Sequence, residues 1–418
     1  MGYRDSKLVR EAATLLSGNV LAQVISVLAY LVLTRIFSPT DFALFNIFYS
    51  YIEVLIIFST CKYELAVVVA SDDTETAAMA RFALRLNTYV SLTLLAVATL
   101  LYFTHALPGD FSQLGTIALL IPPMVFFTGT SRIYAALFNR VRRYRLIAAS
   151  EASNATAASL LKALFGLLGM KRAGLPLGAV LGQAAANLLY RLRLKDIHLP
   201  KTTKEQRMEA ACKHRNFPFY VAPKDFINSF SFNLPFLWLA LYFDKAEVGL
   251  FGLALTFTAR PANIVSSAFE RVLFARTAEQ VRQHQAIGRL VGRFMLLFNV
   301  VALPVCLLGW FFAEPLSLFF FGDRWQGCGV YVQSLLPWIF ISLSTSSMAF
   351  VSNVFSTQRT EFFFYLVLLA LRVAALVVGI HAASFLLAIR LYAAAGMLVS
   401  ASLLLWYFVL VRKYELSR

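Results

Sequence analysis

The residues of this chain that could do chemistry are charged side chains set inside long apolar runs. Arg260, Lys162 and Arg372 fall about eleven to fourteen residues into such runs, and Glu53 is the acid at matching depth. An unpaired charge at the bilayer centre costs ~2.5–3.5 kcal/mol on insertion scales, so each of these groups asks for a partner: another side chain, water, or a charged permeant. Lys62 and Arg132 lie nearer the ends of their runs, where a long stem can carry its charge to the interface. Glu64 and Glu270 sit at the ends of the second and eighth runs. Gating or ion coupling is one use for them, and pairing with Lys62 or Arg271 is the other. Conventional catalysis has no footing. No GxxxxGK, HExxH or GxSxG occurs, and the five histidines and four cysteines show no metal-ligand spacing. No catalytic residue, metal or cofactor is expected, and no ATP-driven step on this chain. A membrane-embedded transferase would gather acids or histidines at one membrane face, and none cluster. The expectation is a protein that is not an enzyme.

The elements that must position these charges are membrane helices. Hydrophobic residues make up 59% of the 418 and charged residues 14%, against ~25% charged in a soluble domain. Apolar runs of about twenty residues, each able to cross ~30 Å of hydrocarbon as a helix, recur end to end. Reading them between charged or Pro/Gly punctuation predicts twelve spans, near 13–35, 42–63, 84–104, 116–137, 148–169, 175–191, 223–243, 249–273, 291–312, 331–354, 361–380 and 382–411. The formal charge of +16 follows the loops: 27 of the 38 Lys and Arg fall on the side of the N-terminus and only five on the other. By the positive-inside rule both termini are cytoplasmic. The basic residues form no single patch, so nucleic acid is excluded as a partner. The basic start, MGYRDSKLVREAATLLSGN, leads into Arg35 without a small-residue cleavage site, so no removable signal is expected.

The longest polar stretch divides the chain into a six-span bundle at 1–191, a cytoplasmic linker at 192–222 and a second six-span bundle at 223–418. A shift of 206 aligns SPTDFALF (38–45) with DKAEVGLF (244–251), Asp41 with Glu247 and Glu64 with Glu270. It also puts Glu53 beside Arg260, which allows an ion pair between bundles. Each half starts on the same side, so the repeats are parallel. Pro122-Pro123, Pro235, Pro261, Pro304 and Pro337 fall within spans and are expected to bend them. Pro261 directly follows Arg260.

Several blocks resemble a known family. Gly18, Gln23 and TRIFSPTDFALF (34–45), KYELAVVVASDDTETA (62–77), GLFGLALTFTARPANIVSSAFERVLFA (249–275) and FGDRWQGCGVYVQSLLPW (321–338) are similar, in order, to polysaccharide transporters. These belong to the multidrug/oligosaccharidyl-lipid/polysaccharide (MOP) exporter superfamily. Cys328-Gly329 departs from the expected Ala-Gly pair. The resemblance implies an all-α polytopic membrane protein with about twelve helices in two six-helix bundles around a central cavity. It implies a flippase that moves an undecaprenyl-pyrophosphate-linked oligosaccharide, such as an O-antigen, capsule or exopolysaccharide repeat unit, across the bacterial inner membrane by alternating access. Polysaccharide polymerase or assembly proteins are the implied neighbours. A net cationic interior suits a pyrophosphate. The alternatives are a lipid II or teichoic-type precursor flippase, and a non-transporting subunit of a polysaccharide assembly complex.

Overall fold

The computed structural model describes residues 22–104, 114–197, 199–282, 286–355 and 357–416. The sequence readings that fall on the N-terminal basic residues, on His105, His198 and His284 and on the Arg271 side chain lie outside the described residues. Among the described residues every regular element is helical. Unit 1, residues 1–233, holds α1 (Ala22–Ile36), α2 (Pro39–Thr60), α3 (Tyr63–Val69), α4 (Asp73–Phe103), α5 (Ile121–Arg140), α6 (Tyr144–Leu167), α7 (Lys171–Arg193) and α8 (Lys204–Lys213). Helix α9 (Ala222–Trp238) carries the boundary between Asn233 and Leu234. Unit 2 continues with α10 (Lys245–Arg282), α11 (Gly288–Phe311), α12 (Ala313–Phe321), α13 (Cys328–Ser347), α14 (Phe350–Val354), α15 (Gln358–His381) and α16 (Phe385–Leu416).

Among the described residues eight helices are long and apolar enough to cross a membrane: α2, α4, α5, α10, α11, α13, α15 and α16. The other four expected spans correspond to α1, α6, α7 and α9. Helices α6 and α7 are long enough, but Glu151, Asn154, Lys162, Gln183 and Asn187 dilute their apolar character; α9, at 17 residues, is shorter and carries Asp225 and Asn233. Of these, Asn154, Gln183 and Asn187 tie helices together.

Helix starts follow local chemistry. Ser38 and Asp41 form a reciprocal capping box at α2, with Ser38 N donating to Asp41 Oδ2 at 2.9 Å. The repeat partner α10 starts at the position 206 residues on, where Ala246 N donates to Asp244 Oδ1 at 3.0 Å. The two helices then differ. Helix α2 stops at Thr60 because Cys61 (φ 46) and Lys62 (φ 61) both adopt the left-handed conformation, so it ends three residues short of the expected 42–63 span and a separate helix, α3, follows. Helix α10 runs unbroken to Arg282 with Pro261 inside it. Pro122 and Pro123, expected as mid-span bends, instead stand in the first turn of α5 after a 3-10 turn over Gly115–Leu120. A missing N–H costs little there.

Packing in each unit uses small residues. Helices α6 and α7 share the most extensive interface in unit 1. There Gly178 and Gly182, four apart, let the backbones close up: a Cβ at Gly178 would lie 2.7 Å from Lys162 N, and one at Gly182 would lie 2.5 Å from Ala158 Cβ. Such close approach replaces the hydrophobic drive that lipid cannot supply between helices. In unit 2, α15 and α16 turn back on each other at Ala383 (φ 49) and pack with Gly379 against Ala388.

Candidate functional site

The break after α2 creates the first charged cluster. Lys62 caps α3 and reaches Asp225 on α9, Nζ to Oδ2 at 2.7 Å. Glu64, in the first turn of α3, is 6% exposed, and its Oε2 accepts no hydrogen bond from the described residues. The pairing expected between Glu64 and Lys62 is thus replaced by Lys62–Asp225. Deeper on α2, Glu53 is exposed and lies 3.9 Å from Arg132 Nη2 on α5. Ser229 Oγ on α9 donates to the Glu53 carbonyl at 3.1 Å. Lys162 stands over the Phe45 ring, Nζ 4.6 Å from the centroid. All of these lie within unit 1.

Unit 2 holds the other candidates. Arg260 is exposed on α10, directly before Pro261. Proline leaves a carbonyl of the preceding turn without its usual donor, so polar backbone and a guanidinium coincide at this depth. Arg372, grouped with the cavity cations by depth alone, is 2% exposed. Its guanidinium carbon lies 4.8 Å from the Trp338 ring and 4.2 Å from the Tyr392 ring. Two aromatic faces offset its desolvation, each by about 2 kcal/mol in a dry site. Glu270 is half-buried. Near it Glu361, 5% exposed, accepts from Tyr365 Oη at 3.4 Å and Tyr407 Oη at 3.3 Å. The structure therefore brings Lys62, Glu64, Glu53 and Lys162 into one unit and Arg260, Glu270 and Arg372 into the other.

Sequence reasoning by charge missed the neutral polar residues. Gln183 Nε2 donates to Ser131 Oγ at 2.7 Å, Asn154 Nδ2 donates to Gln183 Oε1 at 2.8 Å, and Ser131 Oγ donates to Asn187 Oδ1 at 3.2 Å. This chain ties α5, α6 and α7 together. The signal was present as Gln183 and Asn187 four apart on one helix face. Nor did charge depth single out the linker, which is built onto unit 1. Arg81 donates to the carbonyls of Pro200 and Leu199 and to Thr202 Oγ1, while Lys213 Nζ and His214 Nε2 each lie 2.8 Å from Glu75 Oε1. Tyr63 Oη donates to the Ala211 carbonyl at 3.3 Å. Among the described residues no His, Cys, Asp and Glu gather in a way that could hold a metal ion.

This is a multi-pass helical membrane protein whose charges are distributed through two helical units. Residues 32–330 match the family described as polysaccharide biosynthesis protein, and the chain belongs to that family. Its fold is that of the MOP superfamily transporters. The structure is similar to that of the lipid II flippase MurJ in an inward closed conformation, with a TM-score of 0.73 at 12% identity over 98% of this chain and 91% of that one. It is also similar to an inward-facing multidrug resistance MATE family transporter of the MOP superfamily, with a TM-score of 0.69 at 12% identity over 97% of this chain and 99% of that one. A MOP superfamily transporter from Pyrococcus furiosus gives 0.66 at 12% identity, covering 97% and 96%. At such identities the likeness concerns the fold. No curated protein matches in sequence.

Proposed function

We propose that the chain is a flippase that carries an undecaprenyl-pyrophosphate-linked oligosaccharide, a repeat unit of O-antigen, capsule or exopolysaccharide, from the cytoplasmic to the outer leaflet of the inner membrane. The observation that carries this reading is membership of a polysaccharide biosynthesis family on a transporter fold. In it, residues 1–191 and 223–418 are the bundles that rock against each other, 192–222 is the cytoplasmic linker, and both termini are cytoplasmic. Arg260 engages the pyrophosphate, because a planar guanidinium grips phosphate oxygens bidentately and the low dielectric strengthens that contact. Glu53, Lys62 and Lys162 set the polarity of the path. Glu64 and Glu270 serve gating or ion coupling. Polysaccharide polymerase or assembly proteins are the neighbouring partners. No covalent step is required of the chain.

The test is reconstitution. Full-length protein in proteoliposomes should move a fluorescent undecaprenyl-pyrophosphate-linked oligosaccharide between leaflets. Movement of lipid II or a teichoic precursor instead would redirect the cargo assignment, and movement of neither would favour a non-transporting assembly subunit. Glu64→Gln keeps shape and removes charge. It should slow transport severalfold at normal protein level, and full activity of both Glu64→Gln and Glu270→Gln would remove the gating role.

A further inference from the structure

Unit 2 contains an apolar groove of about 710 Å³ between α10, α11, α12 and α13. Two aromatic contacts lie along it: Phe269 against Phe298 and Phe257 against Phe321, each with ring centroids 4.6 Å apart. Between them α10 and α11 stand apart, and α11 packs chiefly on α13. The α11 side chains that line the groove include Leu297, Val301 and Val305, all exposed, so the groove opens onto the surface of the unit. Along α11 the lining runs from Phe294 to Gly309, about 22 Å at ~1.5 Å per residue.

A leaflet is about half of a ~30 Å hydrocarbon core, so a phospholipid acyl chain anchored in one leaflet ends well before the far end of the groove. A single chain that fills it must be longer than a leaflet is thick. Pro261 lines the groove at an intermediate level and Arg260 flanks it. A cation beside an otherwise apolar track complements a ligand with an anionic head and a long hydrocarbon tail. The geometry points to this groove as the binding track for the polyisoprenoid tail of the lipid-linked precursor, with its pyrophosphate presented at Arg260. The inference rests on the flippase reading and adds where the lipid moiety travels: along α10 and α11 within unit 2. A tail held there keeps contact with protein while its head changes leaflet.

The test uses full-length protein in nanodiscs with a photoreactive amino acid in place of Val301, or of Val409 on the exposed face of α16 as control. The probe is radiolabelled undecaprenyl pyrophosphate. Capture at position 301 should exceed that at 409 by about tenfold or more. It should be displaced by unlabelled undecaprenyl phosphate and not by dioleoyl phosphatidylglycerol. Ala302→Trp, which fills the groove, should lower reconstituted transport by a similar factor. Equal labelling at both positions, or equal displacement by phosphatidylglycerol, would show a groove filled by bulk lipid and overturn the proposal. If wild-type protein transports the lipid-linked sugar in the same vesicles while capture is unselective, only the groove assignment falls. If wild-type protein transports nothing and captures nothing, the flippase reading falls with it.

Discussion

Arg260 and the Lys62–Asp225 pair make opposite uses of a cation. Asp225 meets Lys62 at 2.7 Å with both side chains partly buried, so removing one partner leaves the other charge desolvated. Lys62→Met and Asp225→Asn should each lower the melting temperature of detergent-solubilised protein. The double variant should lose less than the sum of the singles, with a coupling of about 1 kcal/mol, as for charges in direct contact. Additive losses would mean that the pair contributes nothing. For Arg260 the expected loss is functional. Arg260→Lys keeps charge and loses the fork, and should cut transport about tenfold if one charge-assisted hydrogen bond of ~1.5 kcal/mol goes. Arg260→Ala should abolish transport with protein still inserted. Surface polysaccharide and protein level in a strain lacking the chain check both. The expected alternative partner for Arg260, Glu53, lies 3.9 Å from Arg132 in its own unit. Depth along a span, which the sequence gives, told which charges needed partners. It could not tell which partner, because that depends on helix rotation: Arg132 and Asp225 come from helices distant in sequence.

At the level of elements, long apolar runs are the most legible feature of such a chain. Each must satisfy its own backbone in lipid, and a helix does that within one segment. The 206-residue repeat was also readable, and the matching starts of α2 and α10, each after a capping side chain (Ser38 and Asp244), show why: caps constrain sequence more tightly than lipid-facing leucines do. The end of α2 was not readable, since two successive non-glycine residues in the left-handed region, Cys61 and Lys62, have no strong sequence signal. The close approach of α6 and α7 was legible in retrospect as glycines spaced by four at 174, 178 and 182. Gly182→Leu should force these helices apart, because even a Cβ meets Ala158. The Asn154–Gln183–Ser131 chain would break with them. Overpacking of this kind costs about 1–3 kcal/mol, and the expected result is a lower melting temperature with faster proteolysis within unit 1. A Gly182→Leu variant as stable as wild type would show that α6 and α7 can separate without loss.

For the whole molecule, the two compact units meet within α9, and the linker that precedes it is anchored to unit 1 by Arg81, Glu75 and Tyr63. The chain passes from unit 1 to unit 2 within that helix, which follows a π-helical turn at Phe217–Val221 and carries Pro235 next to the boundary. The orientation expected in the membrane rests on charge alone: 27 basic residues on the side of the N-terminus against five on the other. A missed or extra span midway would scatter that skew, which makes it testable at two points. The turn at Gly327–Gly329 is a poor place for a bulky reporter. Gly327 N and Gly329 N donate to the Glu314 carboxylate at 2.7 and 2.8 Å, and Gly329 packs against the Glu314 backbone. A single thiol disturbs less. In a background with Cys61, Cys212, Cys306 and Cys328 replaced, Arg324→Cys, at an exposed position before that turn, should react with a membrane-impermeant maleimide on intact cells stripped of outer membrane. Lys413→Cys, exposed near the end of α16, should react only after the inner membrane is opened. Reaction of both thiols from the same side would exclude the arrangement in which α13, α15 and α16 cross the bilayer once each.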